Sequence, residues 1–176
     1  TKPPPGRRLP LGPGGEPRSE RCWRMTYRPA PAASEAEWIE RFRTTFTATV
    51  KRHLIADVPL GAFLSGGVDS SAVVAAMSRA TSQPVRTFTI GFGDPRYDES
   101  AHAARVAAHL GCRHTERRVE LEEAAQILPA LARCYDEPFA DPSAIPTWYV
   151  SRLAREQVTV ALSGDGGDEL FAGYDR

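Results

Sequence analysis

The sequence is poor in cysteine and nearly devoid of lysine. Its three cysteines, Cys22, Cys112 and Cys134, are odd in number and form no Cys-x-x-Cys pair, which argues against a disulfide framework and a thiolate zinc site. They read as reduced thiols packed as small hydrophobes, and reduced thiols point to the cytoplasm. Lysine stands only at Lys2 and Lys51, against 20 arginines. No apolar run approaches the ~20 residues a spanning helix needs, and the N-terminus lacks the order of a signal peptide, so no membrane association is expected. Formal net charge is +0, which predicts no long-range attraction to nucleic acid. The four histidines, His53, His102, His109 and His114, lack the spacing of a metal cluster. What remains, 41% hydrophobic and 25% charged residues in a chain of 176, suits one domain able to bury a core.

Residues 1–33 are rich in proline and glycine and read as a linker or extended arm, with Trp23, Met25 and Tyr27 able to pin it down as an edge strand. From 34 to 176 the pattern is that of a folded domain. Ser34 and Glu37 form a capping box, and Trp38, Phe42, Phe46, Val50 and Leu54 make one apolar stripe, read as core packing. Strands are predicted near 60–64, 85–92, 115–119 and 158–162, with helices near 70–80, 99–110, 122–132 and 144–156 between them. Strands alternating with helices imply an α/β fold: a doubly wound, Rossmann-like parallel sheet in a three-layer αβα sandwich. In such sheets ligands bind beyond the carboxyl ends of strands, where the strand order reverses.

Two segments sit at such ends. Ser65-Gly66-Gly67-Val68-Asp69-Ser70-Ser71 follows the first predicted strand of the domain and opens a helix. Glycines let a backbone approach a ligand, and a helix start offers unsatisfied amides and a positive dipole end, so the segment has the wiring of a phosphate cradle. It is not a Walker loop, since Val68 and Asp69 stand where Lys-Ser or Lys-Thr would be. An acid beside phosphate implies a neutralising cation, and Asp69 therefore predicts Mg²⁺. A plain turn, with Ser65, Asp69 or Ser70 as cap, accounts for the same residues without a ligand. The second segment, Ser163-Gly164-Asp165-Gly166-Gly167-Asp168-Glu169, follows the last predicted strand. Asp168 reads either as a second Mg²⁺ ligand or as a helix cap, and Asp165 as a reactive carboxylate or a turn former.

The first segment resembles the pyrophosphate-binding loop of the ATP pyrophosphatase group, and the second resembles the acidic loop of the asparagine synthetase family in its glutamine-dependent form. Tyr97-Asp98-Glu99-Ser100 and Asp136-Glu137-Pro138-Phe139-Ala140-Asp141-Pro142-Ser143 are also similar to that family. The resemblance implies an ATP- and Mg²⁺-dependent ligase that adenylates the side-chain carboxylate of aspartate, releases pyrophosphate and accepts ammonia derived from glutamine. It implies ATP contacts at Leu64, Ser65, Gly66, Gly67, Asp69, Ser70, Ser71, Ile90, Gly91, Ser163 and Gly164, Mg²⁺ at Asp69 and Asp168, and a role for Asp165 in the amide-forming step. Burial among other acids would raise the pKa of Asp165 towards a useful value. Segment 136–147 is expected to line the acceptor pocket. Asp98 and Glu99 are open between capping a helix and a substrate-side role. The resemblance further implies a glutaminase domain and a closing, lysine-bearing half outside these residues, so a fragment with little synthesis of its own is expected, and it is compatible with a homodimer. A relative acting on another carboxylate, or a nucleotide-binding module without turnover, fits the same segments.

Overall fold

The computed structural model describes residues 3–15, 17–28, 32–94, 96, 98–135 and 141–174. It divides into two units, Thr1–Ile39 and Glu40–Arg176. In the first, β1 (Arg7–Arg8) pairs antiparallel with β2 (Glu20–Arg21), and Arg8 meets the Glu20 carboxylate at 3.1 Å. Trp23, Met25 and Tyr27, predicted to pin an edge strand, lie outside the strands and are exposed. The Gly6 carbonyl accepts the Cys22 and Trp23 amides, so the register favours the arginine-rich pair over the aromatic segment.

Helix α1 (Glu35–His53) opens on the predicted capping box: the Ser34 amide donates to Glu37 Oε2 at 2.8 Å and the Glu37 amide to Ser34 Oγ at 3.3 Å. Its apolar stripe is core only in part. Val50 is buried and Phe46 and Leu54 pack beside it, whereas Trp38 and Phe42 are 44% and 46% exposed, because only the C-terminal half of α1 joins the core cluster.

The second unit is a four-stranded sheet of β3 (Leu60–Phe63), β4 (Arg86–Phe92), β5 (Arg113–Val119) and β6 (Val160–Leu162), in the order β5-β4-β3-β6 with every pair parallel. Helices α2 (Val68–Ala80) and α3 (Ser100–His109) supply the crossovers from β3 to β4 and from β4 to β5. They join α1 over Ala62 and Leu64 through Val74, Met77, Ala103 and Ala107. On the other face α4 (Leu121–Gln126), α5 (Leu128–Cys134) and α6 (Ala144–Arg155) carry the chain from β5 to β6. Here Leu131 and Tyr149 pack with Val119, while Leu153 and Ala154 pack with Phe88. One helix was expected over 122–132. Two form, because Pro129 lacks an amide donor and is accommodated only in the first turn of a new helix. The order grows outward from β3 through β4 to β5 and then jumps back to place β6 on β3's other side. The switch point lies between β3 and β6, and both Ser-Gly segments emerge there. Among the described residues no helix is long and apolar enough to cross a membrane.

Candidate functional site

Loop 1 begins where β3 leaves the sheet. The Leu64 amide donates to the Phe88 carbonyl at 3.0 Å, and the Leu64 carbonyl accepts the Thr89 hydroxyl. Gly66 has φ +87°, and a Cβ there would stand 2.7 Å from the Ala103 nitrogen, so both its conformation and the closeness of α3 require glycine. Gly67 is the N-cap of α2, without a side-chain cap bond. The serines bond across the loop instead: Ser70 Oγ accepts the Ser65 amide at 3.2 Å, lies 2.9 Å from Ser65 Oγ and reaches the Gly67 carbonyl at 3.3 Å. Ser65 Oγ accepts the Gly67 amide at 3.2 Å. Hydroxyls expected to face phosphate thus brace the turn that would hold it.

Loop 2 leaves β6 and ends in α7 (Gly167–Phe171), whose N-cap is Gly166, so Asp168 lies inside the first turn and is not the cap. Ser163 Oγ donates to Asp165 Oδ2 at 2.9 Å. Asp165 is exposed, so the burial among other acids expected for it is not seen. The two loops interlock. A Cβ on Gly164 would stand 2.7 Å from the Ser70 nitrogen, and one on Gly167 would overlap the Asp69 carboxylate. The glycines of loop 2 are what let its backbone rest on the start of α2.

Beside the interlocked loops lies a cavity of about 810 Å³. Of the residues predicted for the site, Leu64, Ser65, Gly67, Asp69, Ser70, Ile90, Ser163, Gly164, Asp165 and Asp168 line it, and Gly66, Ser71 and Gly91 do not. Gly66 packs on α3. The Ser71 amide donates to the Gly67 carbonyl at 3.1 Å, and its hydroxyl is buried without a partner. Gly91 is buried, its missing Cβ facing Ser100, Asp98 and Glu116. Pro146 and Thr147, from the expected acceptor segment, reach the wall, while Tyr97 and Asp136 to Ala140 lie outside the described residues. Thr89 and Val150 also line the cavity and were not anticipated. Val150 gives no sequence signal beyond an apolar helix position. The signal for Thr89 was a threonine two residues from Thr87 within one strand, on the same face.

Electrostatically the cavity is one-sided. Asp69, Glu99, Asp165 and Asp168 line it, with no Lys, Arg or His among its described lining residues. An anion therefore enters only with a counter-cation. No group of three or more His, Cys, Asp or Glu side chains converges among the described residues; Asp69 and Asp168 both line the cavity, and carboxylate oxygens are the hard donors Mg²⁺ takes. Asp98 stands behind the wall. The Ser100 amide, donating at 3.0 Å, holds its carboxyl below the usual range, with Arg118 3.4 Å away adding to the effect, and it orients the start of α3.

A family model described as asparagine synthase matches residues 41–176. The chain belongs to the asparagine synthase family. It is 35% identical over 171 residues to asparagine synthetase [glutamine-hydrolyzing] 1 of Bacillus subtilis, covering 97% of this chain and 27% of that protein. It is 33% identical over 142 residues to asparagine synthetase [glutamine-hydrolyzing] of Homo sapiens, covering 75% and 25%. The chain thus spans about a quarter of the length of these relatives. Among solved structures it is similar to an NH3-dependent NAD synthetase from Campylobacter jejuni, with a TM-score of 0.51 at 17% identity over 77% of this chain and 60% of that one, a likeness of fold.

Proposed function

We propose that this member of the asparagine synthase family is the ATP-binding part of a ligase that adenylates the side-chain carboxylate of aspartate. One observation carries the reading: the two Ser-Gly loops, from strands adjacent at the switch point, close on each other beside one acid-lined cavity. In the proposed reaction a carboxylate oxygen attacks the α-phosphorus of ATP, the bond to the bridging oxygen breaks, and pyrophosphate leaves. Ammonia then attacks the acyl carbon, loses a proton, and AMP departs. Loop 1 receives the departing pyrophosphate, Ser65 and Gly67 forming its wall. Asp69 and Asp168 hold Mg²⁺, which when bound neutralises phosphate charge. Asp165, exposed and tethered only by the Ser163 hydroxyl, is free to guide ammonia or accept its proton. Ile90 lines the adenine end. Ammonia comes from a glutaminase domain outside these residues, which makes residues 1–33 the arm between the two domains, 34–176 the synthetase part, and the cytoplasm the compartment.

Pyrophosphate release by the full-length protein, measured with a panel of carboxylic acids, tests this. Aspartate-dependent release is expected, and Asp69→Ala is expected to weaken Mg-ATP binding about tenfold or more, about 1.4 kcal/mol. Release driven by another acid would move the protein to a relative that amidates or cyclises that acid. Mg-ATP binding without release under any acid would make it a nucleotide-binding module.

A further inference from the structure

We propose that Thr89 is a positioning residue, setting the geometry of loop 1 through the peptide that joins Leu64 to Ser65. β4 is an interior strand whose sequence, Arg-Thr-Phe-Thr-Ile-Gly-Phe, puts two threonines on one buried face; Thr87 is 0% and Thr89 4% exposed. Buried hydroxyls require partners. Thr87 Oγ1 lies 2.9 Å from His114 Nδ1 and serves the sheet, whereas Thr89 Oγ1 donates to the Leu64 carbonyl and serves the loop.

The pairing of β3 with β4 ends at Phe63 and Phe88, so Leu64 stands one residue past the ladder, itself only 2% exposed. The Leu64 carbonyl and the Ser65 amide belong to one rigid peptide plane, and fixing one fixes the other. That Ser65 amide is the group that donates to Ser70 Oγ, which in turn reaches the Gly67 carbonyl. A continuous path therefore runs from the Thr89 hydroxyl through the 64–65 peptide and Ser70 to the turn of loop 1. Thr89 also lines the cavity, where the rigid sheet gives way to the site.

The functional consequence rests on the nucleotide reading above, so the test has one arm that does not. In the full-length protein, Thr89→Val removes the hydroxyl at nearly constant volume, Thr89→Ala does so with no added bulk should the valine misfold, Thr89→Ser restores the donor, and Thr87→Val removes the neighbouring hydroxyl. Without nucleotide, hydrogen exchange at amides 65–70 is expected to quicken about tenfold in Thr89→Val and to return within about twofold of wild type in Thr89→Ser, with Thr87→Val unchanged there. With nucleotide, Thr89→Val is expected to raise KM for ATP about tenfold while kcat stays within about twofold. Unchanged exchange in Thr89→Val, or an equal effect from Thr87→Val, overturns the assignment. Faster exchange with an unchanged KM removes the functional part and leaves the nucleotide reading standing. A wild-type protein that binds no Mg-ATP defeats the nucleotide reading, and exchange at 65–70 still decides what Thr89 holds.

Discussion

The two Ser-Gly loops have similar sequences and opposite construction. Loop 1 is braced from within, by the Ser65 and Ser70 hydroxyls, and from behind, by Thr89 and by α3 against Gly66. Loop 2 is held within itself by the Ser163 hydroxyl, which donates to Asp165 Oδ2 and accepts the Asp165 amide, and it rests on loop 1 through Gly164 and Gly167. Its helix α7 contains no buried residue. A preformed loop and a leaning loop suit different tasks. The first offers a fixed surface to a charge that develops, where preorganisation lowers the cost of response. The second presents its carboxylates, Asp165 and Asp168, from a backbone that rests on the first.

The largest expected effect breaks the contrast at its centre. Gly66→Ala forces a side chain into φ +87° and into the backbone of α3, and should lower unfolding free energy by about 3 kcal/mol or more in a denaturant titration. Gly164→Ala attacks the contact between the loops and should cost about 2 kcal/mol, with accelerated proteolysis confined to 163–174. If the whole domain becomes sensitive instead, loop 2 is not the dependent partner. Ser70→Ala should cost about 1–2 kcal/mol by stranding the Ser65 amide, while Ser163→Ala, at the matching place in loop 2, stays within about 0.5 kcal/mol. Equal losses would erase the distinction.

Acid should act on the sheet at the start of β5, where His114 lies beside Thr87. Burial pushes His114 below its ordinary 6.5, more than the Glu116 charge pulls it up. The unfolded chain then binds the proton more readily, so stability should fall as pH drops below 6.5. In His114→Gln, thermal melts between pH 7.5 and 5.5 should show that decline reduced.

Much of this was legible in the sequence. Strand-like stretches alternating with helical ones gave the parallel sheet, most plainly at the interior strands β3 and β4, whereas β5, Arg-His-Thr-Glu-Arg-Arg-Val, is polar and largely exposed at the sheet edge. Ser-Gly-Gly and Ser-Gly-Asp-Gly-Gly marked the switch point because few structures other than a tight turn at a strand end need such glycines. Pattern failed where the role of a residue depends on what lies opposite. Trp38 and Phe42 have the spacing of core residues, yet both stay exposed while Val50 of the same stripe is buried. Gly91 has the position of a ligand contact, and Asp98 and Ser100 fold over it. Thr89 reads as ordinary strand propensity until the Leu64 carbonyl appears across the sheet.

Leu60, Gly61 and Ala62 pair with Val160, Ala161 and Leu162, and that pairing brings loop 1 and its acidic partner side by side. On a ribosome adding ~5–20 residues each second, the first loop leaves the tunnel ~5–20 s before the strand that completes its site. Until β6 emerges, a nascent chain holds loop 1 without its partner, with the start of α2 uncovered. The arrival of β6, which leads into Ser163, Gly164, Asp165 and Asp168, is what completes the wall of the cavity.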